Sequence, residues 1–417
     1  MDRSPRTTGA DSLRRLPRAV WLLGWVSLAT DAATEAVYPL LPYFLTTVLG
    51  AGAVSLGIVE GAADAVSSLL KLWSGRAADR RETKRPLVLA GYAISSLARP
   101  LIALAQTWTH VFAVRLVDRV GKGIRSAPRD AILASLATPA TRGKVFGFHR
   151  AMDHAGAVLG PLLATLFLWF YPGSYRALFG LTIIPGLVAV LLVLFVREER
   201  TVSTGDAVAR DMAVGGGVAG VVSGVSRTDG ARVTAPVALP RELSSFFWVL
   251  ALFTLGNSTD AFLLLRLTDV AGSALYIPLL WAVLHVVKAT VSIAAGSWSD
   301  RIGRRTVIAL GWLVYAAVYV GFATADAMVP LVAWFIVYGV YFGFAEGTEK
   351  ALVADLAPAE RRGYAYGIYN AVIGMGALLA SVLFGLLWTT FGAHIAFGTG
   401  AALSLVATVL LFGVVRR

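Results

Sequence analysis

GSWSDRIGRR, residues 296–305, decides the reading of this chain, because its key residues occur twice. Residues 75–85, GRAADRRETKR, carry the same Gly and Asp, so that Gly75 and Asp79 recur 221 positions later as Gly296 and Asp300. In each copy an apolar run ends on a Gly, an Asp and a knot of Arg or Lys, which suits a tight turn leaving a membrane on its positive side. A second match has an offset of 220: RDAILASLATPATRGKVFGFHRAMDHAG from Arg129 lies without a gap over EKALVADLAPAERRGYAYGIYNAVIGMG from Glu349. Ala131, Ala134, Leu136, Ala137, Arg142, Gly143, Gly147, Ala151 and Gly156 meet identical residues there. Two long copies, rather than a short period, exclude a solenoid and describe a duplicated membrane bundle.

Composition agrees. With 417 residues, 57% hydrophobic and 15% charged, the chain has too little polar surface to cover a soluble globule. It has no cysteine, so disulfides and thiolate metal sites are excluded. The net charge of +12 is spread over the ends of apolar segments, which argues for membrane orientation and against nucleic acid. Spans need roughly 20 apolar residues each, and twelve are expected: 19-46, 53-75, 86-106, 108-126, 144-170, 176-196, 244-266, 274-297, 305-325, 329-350, 364-389 and 392-415. Alternate loops are basic (Arg80 to Arg85, Arg142 and Lys144, Arg197 and Arg200, Arg301 to Arg305, Arg361 and Arg362), and those between them carry almost no Lys or Arg. The positive-inside rule then places both termini and the central loop in the cytoplasm.

The expected organisation is a cytoplasmic N-terminal segment (1-18) without a cleavage site, a six-helix half (19-196), a Gly- and Val-rich cytoplasmic linker (197-243) and a second six-helix half (244-417). The fold class is an all-α membrane protein, twelve transmembrane helices in two pseudo-symmetric halves.

The turns Gly75/Asp79/Arg80 and Gly296/Asp300/Arg301/Gly303/Arg304/Arg305 resemble the loop 2-3 and loop 8-9 signature of the major facilitator superfamily, and the resemblance covers essentially the whole chain. It implies that Asp79 and Asp300 latch the cytoplasmic side against Arg from a neighbouring helix end. The first copy departs from the pattern, with Arg81-Glu82 where the second has Ile302-Gly303. Arg115 with Gly121 resembles the fourth-helix motif whose buried Arg is implicated in proton coupling, with Asp118 where a polar amide is more usual. Gly156, Gly160 and Pro161 resemble the fifth-helix antiporter motif typical of exporters, with Ala164 in place of its last Gly.

Ionisable groups at membrane depth are costly unless paired or wet, and so point to function. Asp31 and Glu35 share a face of the first span; Glu60, Asp64 and Lys71 form a stripe on the second. The fifth carries His149 and Asp153 beside Arg150 and His154, and the second half carries Asp260, His285, Lys288, Glu346, Glu349 and Lys350. Asp31 and Glu35 are the expected proton carriers, with Arg115 as their cation and Asp64 as a further acid. The 220 offset sets Arg129 and Asp130 opposite Glu349 and Lys350 with signs reversed. Arg129 with Glu349 and Asp130 with Lys350 are therefore expected to close an inner gate. Tyr38, Trp281, Tyr338, Tyr341, Tyr366, Tyr369 and Asn370 are cavity candidates that equally suit interfacial packing.

The expectation is a monomeric secondary transporter in a plasma membrane, such as a bacterial inner membrane. It would export a small polar or charged molecule in exchange for protons. No nucleotide-binding loop is evident, so no cofactor is expected and the proton gradient supplies the energy. Two transport alternatives stay open: a divalent metal or metal-chelate exporter using His149, His154 or His285, and a proton-coupled uptake symporter. No nucleophile-base pair or metal motif suggests an enzyme.

Overall fold

In lipid each backbone amide must be satisfied within its own segment, so a chain this apolar folds as helix. The protein is described by a computed structural model covering residues 16–79, 83–138, 141–198, 239–358 and 362–414. Among these residues the elements are helical throughout. The first half runs α1 (Arg18–Val37, continued by short turns to Val48), α2 (Ala53–Asp79), α3 (Arg85–Ala98, continued as Arg99–Leu104), α4 (Trp108–Ser135), α5 (Arg142–Phe170) and α6 (Tyr175–Leu181, then Ile183–Leu194). The second runs α7 (Arg241–Gly256, then Ala261–Ala271), α8 (Ile277–Ile302), α9 (Arg304–Thr324), α10 (Met328–Leu356), α11 (Arg362–Phe391) and α12 (Ala393–Val414).

Irregularities sit where a hydrogen bond is denied. Pro39 and Pro42 lie in the altered turns after Val37, Pro100 in the tightened turn ending α3, and Pro185 four residues beyond the carbonyl where α6 breaks. α7 comes apart between Gly256 and Ala261. The freed Gly256 carbonyl accepts from Tyr315 Oη at 2.8 Å. At the opposite end of the first half, the Glu198 carboxylate accepts the backbone N–H groups of Lys84 and Arg85 at 2.7 and 2.8 Å, capping α3.

Nine helices among the described residues are long and apolar enough to cross a membrane, counting the two parts of α3, of α6 and of α7 together. α1, α4 and α8 fall short, and α8 keeps a shorter apolar stretch, Ile277–Ser292. The reason is charge: Asp31 and Glu35 on α1, and Arg115, Asp118, Arg119, Lys122 and Arg125 on α4. Outward faces are apolar, with Trp248 79% and Val409 72% exposed, as lipid contact requires.

Within the first half α1 packs on α5, and α4 on α2 and α3; within the second α10 packs on α8 and α9, and α12 on α7 and α9. The halves meet along α2–α11 and α5–α8, which exchange under the internal two-fold symmetry. Glycine permits the close approach of α2 to α11 and, within the first half, of α5 to α1. A methyl group at Gly57 would strike the Ser381 carbonyl, and one at Gly160 the Ala32 carbonyl beneath α5. Gly156 likewise lies on Leu28, so the Gly156, Gly160, Pro161 motif is the seam between α5 and α1.

Candidate functional site

The strongest polar contact in the interior joins α2 to α4. Arg115 donates through Nε to Glu60 Oε1 at 3.0 Å and through Nη2 to Oε2 at 2.5 Å, a buried bidentate pair. Asp118, one turn on, lies 3.8 Å from Arg115 and accepts from Arg99 at 3.0 Å. Arg125 donates to Ser95 Oγ at 2.6 Å and stacks over Tyr92, while the Arg115 guanidinium lies over Tyr38. Arg115 is thus committed to Glu60 and Asp118, which corrects its expected partnership with Asp31 and Glu35. Glu60 presents a carboxylate from the facing stripe of α2 and takes the bidentate position first. Glu60 was legible on its stripe, but nothing in the spacing marked it as the partner.

Asp31 and Glu35 share a face and serve different neighbours. Glu35 Oε2 accepts from Trp281 Nε1 at 2.8 Å, and His285 Nε2 lies 3.8 Å away, so this acid joins α1 to α8 across the halves. Tyr38 and Thr259 hydroxyls meet at 3.3 Å beside it, and the end of α1 touches the second part of α7. These contacts close the bundle at the end opposite the basic loops. Asp31 instead faces Asp153, Lys122 and Arg129. Asp153 accepts from Ser27 Oγ, with His149 Nδ1 3.6 Å away. Asp64 makes no hydrogen bond or ion pair with the described residues.

The second half is built differently. Phe253 stacks on Trp312 at 4.3 Å between ring centres, and Tyr315, Tyr319, Tyr338 and Tyr341 continue the array. Acids are embedded in it. Asp260, beside the break in α7, accepts from Tyr338 Oη at 2.7 Å. Glu349, 4% exposed, accepts from Trp312 Nε1 at 2.9 Å and Tyr369 Oη at 3.0 Å. Between this array and α2 lies a cavity of about 280 Å³, whose lining includes Lys71, Phe253, Asn257, Tyr341, Phe342, Glu346, Glu349, Lys350, Tyr369 and Asn370. It lies towards the basic end; of the seven cavity candidates Tyr341, Tyr369 and Asn370 line it, and Tyr38, Trp281, Tyr338 and Tyr366 do not.

The inner-gate pairs are not made in this conformation, which corrects that expectation. Arg129 donates to its neighbour Asp130 at 3.0 Å, Glu349 faces inward to Trp312, and Lys350 binds Glu346 at 3.1 Å. The physical reason is local: each charge has a nearer partner, and the Asp130 side chain is half exposed. The contact crossing the halves here is Arg150 to Glu346 at 3.3 Å, a pair the pseudo-symmetric alignment does not reveal. Of the latch residues, Arg80 and the side chains of Asp79 and Asp300 lie outside the described residues, and Gly296 lies within α8. Gly303 has φ +91°, the left-handed conformation that glycine tolerates, and so makes the turn between α8 and α9. Arg304 beside it binds Asp355 at 3.2 Å. Among the described residues no three His, Asp or Glu side chains gather as metal ligands, and His149 and His285 stand apart, each beside one acid.

Two pseudo-symmetric six-helix halves, charged interior helices and a cavity between them define a membrane transporter. The model of the Major Facilitator Superfamily matches residues 23–287 and 246–417, and the chain belongs to that family. An uncharacterised MFS-type transporter of Methanocaldococcus jannaschii is 32% identical over 404 residues, 95% of each chain. Multidrug resistance protein MdtH of Cronobacter sakazakii is 24% identical over 356 residues, 82% of this chain and 80% of that one. The solved nucleoside transporter NupG superposes with a TM-score of 0.73 at 14% identity, covering 96% of this chain and 100% of that one, a likeness of fold alone.

Proposed function

We propose that this chain is a proton-coupled antiporter exporting a small polar or charged molecule by alternating access, with Asp31 and Glu35 as the proton-carrying acids. The observation that carries the reading is Glu35. An ionisable carboxylate in the interior makes the 2.8 Å bond to Trp281 that joins the two halves. A charge-assisted hydrogen bond is roughly twice as strong as a neutral one, so protonating Glu35 weakens the closure of that end. Proton occupancy and exposure of the cavity are thereby linked, as a coupled transporter requires.

The export direction is supported by the Gly156, Gly160, Pro161 seam, which packs α5 directly onto the turn of α1 that carries Asp31, and by the likeness to MdtH. The same acids serve uptake symport with the opposite thermodynamic sign. Its location is proposed as a plasma membrane with the basic loops cytoplasmic, and the working unit as one chain.

Purified protein in inverted-orientation liposomes, given an acidic lumen, should accumulate its solute; accumulation only with an alkaline lumen would replace antiport by symport. Solute-driven proton movement should disappear in Glu35→Gln. Its persistence would remove Glu35 from the coupling.

A further inference from the structure

Three cations in the interior have no ion-pair partner in direct contact among the described residues. α2 and α4 touch where Ser74 Oγ donates to the Gly123 carbonyl at 2.7 Å and where a side chain on Gly123 would strike Leu70. At that crossing Lys71 enters the cavity from α2, and Arg119 and Lys122 flank Gly123 on α4. Arg119 is 5% exposed, and its buried Nε has no hydrogen-bond partner. Among the described residues none of the three side chains makes an ion pair or hydrogen bond. Arg119 and Lys71 both act on Lys122 through space; Asp31 opposes them at Lys122, Asp64 and Asp130 at Lys71, and Asp118 at Arg119, none within ion-pair distance.

Most other cations nearby have a partner, although Arg99 Nε and Nη1 are also buried without one, and Asp31 and Asp64 make no ion pair or hydrogen bond among the described residues. Arg115 has Glu60, Arg99 has Asp118, Arg125 has Ser95 and the Tyr92 ring, and Lys350 has Glu346. Glu349, on the facing wall, is held by two donors. Like charges gathered in a weakly screened interior repel, and a fold keeps such a cluster at a cost in stability unless something compensates it. An anion entering the cavity would add the compensation that Asp31 and Asp64 do not supply by direct contact, and Lys71 is the one of the three that lines it. Phe253, Tyr341 and Phe342 on the opposite side offer apolar area to the rest of the molecule.

We infer that Lys71, Arg119 and Lys122 form an anion subsite, and that the transported molecule is a small organic anion, a carboxylate or phosphate with an apolar body lying against Phe253 and Tyr341. The term "transported" rests on the proposed function; the subsite does not. The two separate in experiment. Anion binding that depends on these residues but moves no solute would remove the transport reading and keep the site. Solute movement indifferent to Lys71 and Lys122 would do the reverse.

The test uses the full chain in detergent, and in nanodiscs of phosphatidylcholine or phosphatidylglycerol. Thermal unfolding is followed with benzoate, salicylate or inorganic phosphate against chloride at fixed ionic strength, with benzamide as the uncharged control. Removing one of three repelling charges should raise the Tm of unliganded Lys122→Met, and separately of Lys71→Met, by about 2 °C or more. At least one anion should raise the Tm of the wild type and not of either variant, and benzamide should raise neither. A lower Tm in both variants means the lysines are structural and overturns the inference. So does an anion response absent from the wild type or retained in the variants. A response to phosphatidylglycerol alone assigns the site to a lipid headgroup and overturns the assignment to a transported anion.

Discussion

Replacing Glu60 by Gln tests the energetics of the interior most directly. Glu60 supplies both oxygens to Arg115, at 3.0 and 2.5 Å, in a site where the side chains are 1% and 3% exposed. Breaking a buried pair by removing one partner costs about 3–5 kcal/mol, because the remaining charge is left uncompensated. Asp118 stands 3.8 Å from the same guanidinium and keeps part of the compensation, and the Gln amide oxygen can still accept one bond. The loss should therefore fall near the lower bound, about 3 kcal/mol, roughly a hundredfold in the unfolding equilibrium. Denaturant unfolding in micelles, followed by tryptophan fluorescence, measures it. The double change Glu60→Leu with Arg115→Met removes both charges and should recover most of the stability, since an apolar pair of similar volume is often as good. A double variant as unstable as the worse single one would refute the argument, as would a single variant with no loss.

Further outcomes follow from other contacts. Because the chain has no cysteine, a thiol introduced near Thr259 reports alone on that end of the bundle. Glu35→Gln and Trp281→Phe should each increase its labelling, and unchanged labelling in both would show that the bond does not hold the end shut. Gly160→Val forces a side chain against the Ala32 carbonyl and should destabilise the α1–α5 seam by about 1–3 kcal/mol; wild-type thermal stability would mean the seam adapts. Asp300→Ala should shift the conformational balance without abolishing ligand binding, read as altered thiol accessibility at both ends. Equal accessibility before and after would leave the latch without support.

The architecture was legible because it depends on coarse quantities. The duplicated Gly–Asp–Arg turns, alternating basic loops and twelve apolar runs each follow from lipid and charge acting on whole segments. The partners of interior charges were not legible, because they depend on side-chain reach and helix rotation within a fraction of a turn. Asp31 and Glu35 were placed on one face correctly, yet one meets α8 and the other faces α4 and α5. Sign reversal between Arg129–Asp130 and Glu349–Lys350 suggested attraction across the two-fold axis. Competition from adjacent groups decided otherwise: Asp130 for Arg129, Trp312 and Tyr369 for Glu349. Arg119 and Lys122 carry a readable signal, since they stand four and seven residues after Arg115 on the same helix.

The two copies descended from one repeat have acquired unlike cements: guanidinium and carboxylate groups in the first, stacked rings in the second. Truncating one member of a buried ion pair strands a charge at a cost of about 3–5 kcal/mol, whereas trimming one ring of a stack leaves only a packing gap. The first lobe should therefore be brittle to single substitutions and the second forgiving, and chimeras made of two first lobes or two second lobes would inherit one temperament only.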